Sequence, residues 1–380
     1  MNNQLITNLG EAALYLRNKL TKEKYILLFA YNGTGKTRLS MEFKDLGKNG
    51  AERDTLYYNA FTEDLFYWDN DLESDTAREL RLNTESAFFN GIFELEMESR
   101  IRNFLIRYAD FDFKILTKDI DGKEVIYVSF EREVLINGRS EIIDSIKISR
   151  GEENVFIWCF FLAVVKLAFD TESQDDPYSW VKYIYIDDPI SSLDENNLIF
   201  IACDLVDFVF NEQVSQKIII STHHSLFFNV LSNEMKGILG RSWQKKLAQY
   251  FFHINRDDGH YSLREEAGDT PYSYHLAIIK DLQKAAATNS IKNYHFNMMR
   301  SILEKTSAFF GYKKFTDCIR DESKIQIYSR FLNLFSHGKD SFFTYREPDD
   351  VHKELFKEIL NIYLNKYEFN LADILVDASN

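Results

Sequence analysis

The sequence predicts an α/β domain over residues 1–267 followed by an all-α domain over residues 268–380. Three observations carry this. Strand-like apolar runs occur at Tyr25–Phe29, Val125–Ser129, Tyr183–Ile186 and Lys217–Ile220, all before Pro271. Beyond Pro271 the apolar residues recur only at helical spacing. Between the two patterns, Gly268-Asp269-Thr270-Pro271 breaks both periodicities, which sets the boundary near residues 265–271.

The bulk composition agrees with two cores. At 380 residues and 45% apolar content the chain exceeds the usual size of one hydrophobic core. Its 32 Phe and 21 Tyr argue against disorder, because disordered chains are poor in aromatics. Cys159, Cys203 and Cys318 lie far apart with no CxxC pair, which excludes a disulfide framework or a zinc site built from them and fits a reducing, cytoplasmic setting. The first residues show no basic stretch followed by an apolar run, so no secretion signal is expected. The most apolar stretch, Val155–Phe169, contains Lys166 and is shorter than the roughly twenty residues a membrane span needs; it is expected to be a buried helix. The net charge of -14 opposes polyanion binding over the whole surface. Between Pro271 and Asp340, however, eleven Lys and Arg face six Asp and Glu, a local excess of +5.

The chemistry begins at Ala30-Tyr31-Asn32-Gly33-Thr34-Gly35-Lys36-Thr37, between a strand-like run and a helix-like one. It matches a P-loop, with Ala30 in place of the first Gly. Gly33 and Gly35 let backbone N–H groups curl around phosphates at a helix start, Lys36 adds a point charge, and Thr37 can hold Mg²⁺. The nucleotide-binding stretch is taken as Asn32, Gly33, Thr34, Gly35, Lys36, Thr37 and Arg38. Downstream, Ser149-Arg150-Gly151-Glu152 resembles the signature segment of ABC ATPases. There, Ser149 at a helix start would approach the γ-phosphate held by a second subunit. Tyr183–Asp187 is an apolar strand ending in an acid, a Walker B pattern in which Asp187 joins Thr37 on Mg²⁺. Asp188 stands where these enzymes usually place a water-polarising glutamate. Ser192-Leu193-Asp194 resembles their D-loop, and His223, after the run Lys217–Ile220, their γ-phosphate switch; His224 is the alternative. The sequence departs from the pattern in one respect: no glutamine lies between Gln4 and Gln174, so the usual Q-loop is missing, with Glu63 or Asp64 as substitutes.

The C-terminal part carries a second constellation. Arg300 and Glu304 are four residues apart on one helix face, and Gly311 can end that helix. Taken alone they would be an ion pair worth a few tenths of a kcal/mol. On the next helical run Arg330, Asn333 and His337 share a stripe, and this Arg-x6-His spacing is similar to the helical HEPN ribonucleases. Together the residues suffice for RNA cleavage. His337 and Glu304 can move protons between a ribose 2′-OH and the leaving 5′-oxygen, while Arg300 neutralises the charge added at phosphorus. With no carboxylate cluster for two metals in this region, attack by the 2′-OH to give a 2′,3′-cyclic phosphate is the economical route, and no metal is expected in the nuclease site.

The whole chain closely resembles the PrrC-type anticodon nucleases, in which an ABC-type P-loop ATPase domain is followed by an all-α HEPN-like nuclease domain. The likeness spans nearly all residues and is most specific at Tyr31–Ser40, Tyr58–Asp71 and Tyr294–Tyr312. It implies that Arg300, Glu304 and His337 are catalytic, that ATP or GTP with Mg²⁺ is hydrolysed, and that a thymidine nucleotide regulates. It further implies cleavage of a tRNA anticodon loop, of tRNA-Lys, in anti-phage defence, with latency imposed by a type I restriction-modification complex. Asp269 matches a position near the wobble base, although a Gly-Asp pair before proline is also an ordinary turn. Asp269, Arg330 and Asn333 are therefore the candidate substrate contacts. The signature-to-P-loop geometry implies a homodimer or larger homo-oligomer through the ATPase domains, and no membrane partner is expected. Two rivals stand beside this. One is a HEPN toxin cutting mRNA. The other is an SMC-like or Rad50-like DNA-binding ATPase, disfavoured because about 110 residues without heptads separate Lys36 from Ser149, too few for coiled-coil arms.

Overall fold

The computed structural model describes residues 3–50, 52–59, 66–70, 78–82, 96–120, 123–136, 139–189, 195–211, 214–254, 259–265, 273–319 and 348–367. The chain divides into two compact units, Met1–Ala267 and Gly268–Asn380.

Among the described residues, the first unit is built on a seven-stranded sheet. Its strands are β1 (Asn3–Ile6), β2 (Tyr25–Ala30), β3 (Thr55–Asn59), β9 (Tyr183–Asp187), β10 (Lys217–Thr222), β11 (Leu247–Ile254) and β12 (Tyr261–Glu265). Across the sheet they run β1-β12-β11-β2-β10-β9-β3. The five from β11 to β3 pair in parallel, while β12 and β1 add an antiparallel edge. A parallel sheet must be covered on both faces, and the period of two shows how. Ile26 and Leu28 of β2, Tyr185 of β9 and Ile219 of β10 pack with Ala13 and Leu16 of α1 (Leu9–Lys19) and Leu39 and Phe43 of α2 (Lys36–Asp45). The alternate residues Leu27, Ile184, Ile186, Ile218 and Ile220 pack in the opposite layer. That layer holds α4 (Arg150–Phe169), α5 (Glu195–Asn211) and α6 (Ser225–Leu239).

A second sheet, antiparallel, joins β4 (Phe66–Asn70), β5 (Arg78–Leu82), β7 (Lys123–Ile136) and β6 (Phe111–Ile120) in that order, with β8 (Arg139–Ile143) on β7. The helix α3 (Met97–Leu105) precedes β6. The apolar run expected to be a buried helix is α4, which is apolar all round because it lies between both sheets. Trp158 and Phe161 meet Tyr58 of β3, with ring centres 5.3 and 4.6 Å apart. Phe156 makes edge contacts with Phe113 at 5.0 Å and Phe130 at 5.1 Å in the second sheet. No helix among the described residues is long and apolar enough to cross a membrane.

In the second unit the described elements are helical: α7 (Ser273–Ala287), α8 (Asn293–Phe309), a 3-10 turn at Phe315–Cys318 and α9 (Asp350–Tyr367). The stripe Phe296, Met299, Ile302 and Leu303 of α8 packs on Ile279 and Leu282 of α7 and on Phe356, Ile359 and Tyr363 of α9. As its spacing predicts, α8 stops before Gly311, which takes the left-handed φ of 69° and lets Tyr312 N–H bond back to the Ser307 carbonyl at 2.8 Å.

Candidate functional site

Strand register assembles the first site. Pairing of β10 with β9 sets Ser221 opposite Asp187, and pairing with β2 sets Thr222 opposite Phe29. The carboxyl ends of three neighbouring strands therefore finish side by side, where open parallel sheets bind ligands. From β2 the chain enters the Gly-rich loop, with Gly33 at φ 80° and Gly35 at φ 91°. Gly35 caps α2 without offering a side-chain acceptor to its first N–H groups. Asn32 and Gly33 are exposed, as are Thr37 and Arg38, whereas Thr34 is buried with its hydroxyl donating to the Tyr31 carbonyl at 2.7 Å.

Behind the loop, Lys36 is nearly buried at 6% exposure, and its ammonium lies 2.8 Å from Oδ1 of Asp187 and 3.0 Å from Oδ2 of Asp188. Asp187 is fully buried and also accepts from Ser221 Oγ at 2.6 Å and, at 3.5 Å, from Ser40 Oγ. Asp188 takes φ +53°, a left-handed conformation rare for a non-glycine residue. Its backbone N–H donates to the Ser221 carbonyl at 2.7 Å, and its carboxylate meets Thr222 Oγ1 at 3.2 Å and His223 Nδ1 at 2.5 Å. Burial pushes the Asp188 pKa up, but the His223 hydrogen bond and the Lys36 charge outweigh it and hold the carboxyl below its ordinary value. Burial and the nearby Asp187 charge push the Tyr57 phenol up to about 12. The Tyr57 hydroxyl bridges Ser40 Oγ at 3.0 Å and Asn59 Nδ2 at 3.2 Å.

These residues fit a nucleotide with a divalent cation. Left-handed glycines open the loop's backbone N–H groups, a buried ammonium stands behind them, and two carboxylates face it. The structure thus brings Lys36, Asp187, Asp188 and His223 into one cluster. His224 instead is the N-cap residue of α6, its backbone N–H donating to Thr222 Oγ1 at 3.1 Å. Ser149 and Glu152 form a reciprocal capping box at the start of α4. Glu152 also pairs with Arg132, and Gly151 lies in that first turn, so the segment bonds within itself and to Arg132 rather than to the Lys36 cluster. Ser40, Tyr57, Ser221 and Thr222 were not anticipated from the sequence. Ser40 alone had a local signal, four residues beyond Lys36 on the same face of α2.

In the second unit Arg300 Nε donates to Glu304 Oε1 at 2.7 Å, with side chains 16% and 49% exposed. The Arg300 guanidinium also lies 5.3 Å from the centre of the Phe315 ring. Asp194, Asp269, Arg330, Asn333 and His337 lie outside the described residues, as do Glu63 and Asp64.

Residues 133–364 match the family described as AAA domain, a span that begins beyond the Gly-rich loop and continues past Ala267. A Staphylococcus aureus (strain MRSA252) protein, named an uncharacterized chromosomal cassette SCCmec type IVc protein, is 26% identical over 170 residues, 44% of this chain and 22% of that one. An Escherichia coli protein named anticodon nuclease is 35% identical over 374 residues, covering 91% of this chain and 90% of its relative. Identity of that extent runs through both units, and the chain belongs to the PrrC-type anticodon nuclease family, enzymes here carrying an AAA-type ATPase domain in the same polypeptide.

Proposed function

We propose that this protein is a nucleotide-controlled endoribonuclease that cuts the anticodon loop of a tRNA, tRNA-Lys by family resemblance, leaving a 2′,3′-cyclic phosphate and a 5′-OH. The observation that carries it is the Arg300–Glu304 pair on α8, its glutamate half-exposed, in a chain of this family. A base drawn from Glu304 and His337 takes the 2′-OH proton, and the 2′-oxygen bonds to phosphorus. Arg300 donates to the non-bridging oxygens as their charge grows, and the 5′-oxygen leaves with a proton from the other member. The step balances without a metal.

The ABC-type reading of the first unit assigns Asn32 to Arg38, Ser149, Gly151, Glu152, Asp187, Asp188, Asp194 and His223 to ATP or GTP. Thr37 and Asp187 would hold Mg²⁺, which neutralises phosphate charge when bound. Asp188, hydrogen-bonded to His223, would orient the attacking water. Ser149 would act on nucleotide held by a second copy, which makes the working unit a homodimer or larger assembly. A nucleotide that prefers one state of the chain then gates the nuclease; shifting a latent 1:99 population to 99:1 takes about 5.5 kcal/mol of such preference. A regulatory thymidine nucleotide, a type I restriction-modification complex and an anti-phage role complete the proposal by resemblance, with Asp269, Arg330 and Asn333 as RNA contacts.

The test is to sequence RNA ends after incubating total RNA with the purified chain and with Arg300→Ala, each across a titration of ATP and of GTP with Mg²⁺. Cuts confined to a tRNA anticodon loop and absent with Arg300→Ala support the assignment. Cuts spread through mRNA make it a toxin of different substrate, and no cuts remove the nuclease assignment.

A further inference from the structure

Beyond the C-terminal end of α8, the chain folds back on the helix. Gly311 turns it, Tyr312 N–H donates to the Ser307 carbonyl at 2.8 Å, and Ser307 Oγ returns a bond to the Tyr312 carbonyl at 3.2 Å. An open depression of about 400 Å³ results, walled by Glu304, Ser307, Tyr312, Lys313, Lys314 and Phe315. Two aromatic rings and two exposed ammonium groups thus share a pocket with one member of the Arg300–Glu304 pair, and the other member stacks on Phe315. Tyr312 also lies beside Phe310, ring centres 5.9 Å apart and planes at 19°, and the Lys366 ammonium stands 5.2 Å from the Tyr312 ring centre. Phe309 and Phe310, at 85% and 50% exposure, extend the aromatic surface.

This composition selects its occupant. The cores of protein interfaces are depleted of lysine, whereas unstacked bases of RNA loops are held on aromatic faces with cations along the phosphates. The acids nearby already have partners: Glu304 takes Arg300, and Asp317 accepts the Lys314 backbone N–H at 3.2 Å. We propose that this depression is a nucleotide subsite, where Tyr312 and Phe315 stack an unstacked base of the RNA next to the cleaved phosphate and Lys313 and Lys314 contact the flanking phosphates. The subsite rests on the assignment of Arg300 and Glu304 to RNA cleavage, and it makes Tyr312 and Phe315 substrate-holding residues rather than catalytic ones.

The experiment uses the full chain and two RNAs. One is an anticodon stem-loop with 2′-deoxy loop nucleotides, which binds but is not cut, followed by fluorescence anisotropy. The other is its all-ribose form, followed by cleavage kinetics. Tyr312→Leu is expected to weaken binding about tenfold and raise KM to match, with kcat within about threefold, while Tyr312→Phe stays near wild type. The Lys313→Ala, Lys314→Ala double variant should reduce the slope of log affinity against log salt by about 1.4. Unchanged nucleotide hydrolysis and circular dichroism control for folding. Wild-type affinity and KM in both Tyr312→Leu and the lysine double variant overturn the subsite, even when the wild type cuts RNA. If the wild type cuts no RNA at any nucleotide concentration yet these variants lose affinity, the depression binds RNA, but the nuclease assignment falls and with it the place beside a cleaved phosphate. Unchanged RNA affinity with altered sedimentation would assign the face to contacts between copies of the chain and also overturn it.

Discussion

The Lys36 ammonium lies 2.8 Å from Oδ1 of Asp187, joining the Gly-rich loop to the end of β9 across 151 residues of sequence. Asp188 adds a second carboxylate to the same cation at 3.0 Å. Removing one partner of a buried ion pair leaves uncompensated charge, which typically costs about 3–5 kcal/mol. Lys36→Met should therefore destabilise the nucleotide-free chain on that scale at neutral pH, beside losing nucleotide binding. Urea denaturation at pH 7.5 and pH 5 checks it. The loss should shrink at the lower pH, where a carboxylate without its cation can take a proton.

Asp188 has a folded pKa below its ordinary 3.8, since the His223 bond and the Lys36 charge outweigh burial. Its ionised form is favoured in the fold, so its contribution is present above about pH 4 and lost as the pH falls through the folded value. Asp188→Asn should remove that part of the acid sensitivity in urea titrations between pH 5 and 2.5. The same variant should bind nucleotide yet hydrolyse it at least about 100-fold more slowly, as loss of a group that orients or deprotonates water does.

Ser149 separates two roles at one atom. As the N-cap of α4 its replacement by Ala should cost about 1 kcal/mol, whereas Asp is an equally good cap and should preserve stability. If Ser149 also reaches nucleotide on a partner copy, Ser149→Asp will be stable but slow in hydrolysis because it sets a negative charge against phosphate. Full hydrolysis by a stable Ser149→Asp would leave the residue a cap only.

Glu304 is half-exposed and pairs within its own helix, so the pair adds little to stability. Glu304→Gln should change the unfolding free energy by less than about 0.5 kcal/mol. It should slow RNA cleavage by about 100-fold or more. A large stability loss with normal cleavage would invert the assignment.

How much of this was legible follows from the range of each interaction. Tyr25–Ala30, Tyr183–Asp187 and Lys217–Thr222 announce themselves as apolar runs because parallel strands are covered on both faces, and α4 because it lies between two sheets. The second sheet was visible only in β7. β8 is exposed at every position and carries no alternating pattern, and the polar residues of β5, Arg78, Glu79 and Arg81, leave it without an apolar run. At the site, the residue types of Lys36, Asp187, Asp188 and His223 were readable from order and spacing. Ser221 and Thr222 were not, because they reach Asp187 and Asp188 through the register of β10 on β9, a long-range choice. Phe315 is likewise invisible beside Arg300 until Gly311 turns the chain back.

The proposed gating couples nucleotide at the Lys36 cluster to an RNA-cutting site at Arg300 and Glu304. The direct measurement is tRNA cleavage by purified wild type, Lys36→Met and Arg300→Ala across a nucleotide titration, with fragment ends sequenced. Nucleotide-dependent anticodon-loop cuts are expected from the wild type, with cutting suppressed in Lys36→Met though Arg300 and Glu304 are intact, and absent in Arg300→Ala. Equal cutting by wild type and Lys36→Met at every nucleotide concentration would contradict it.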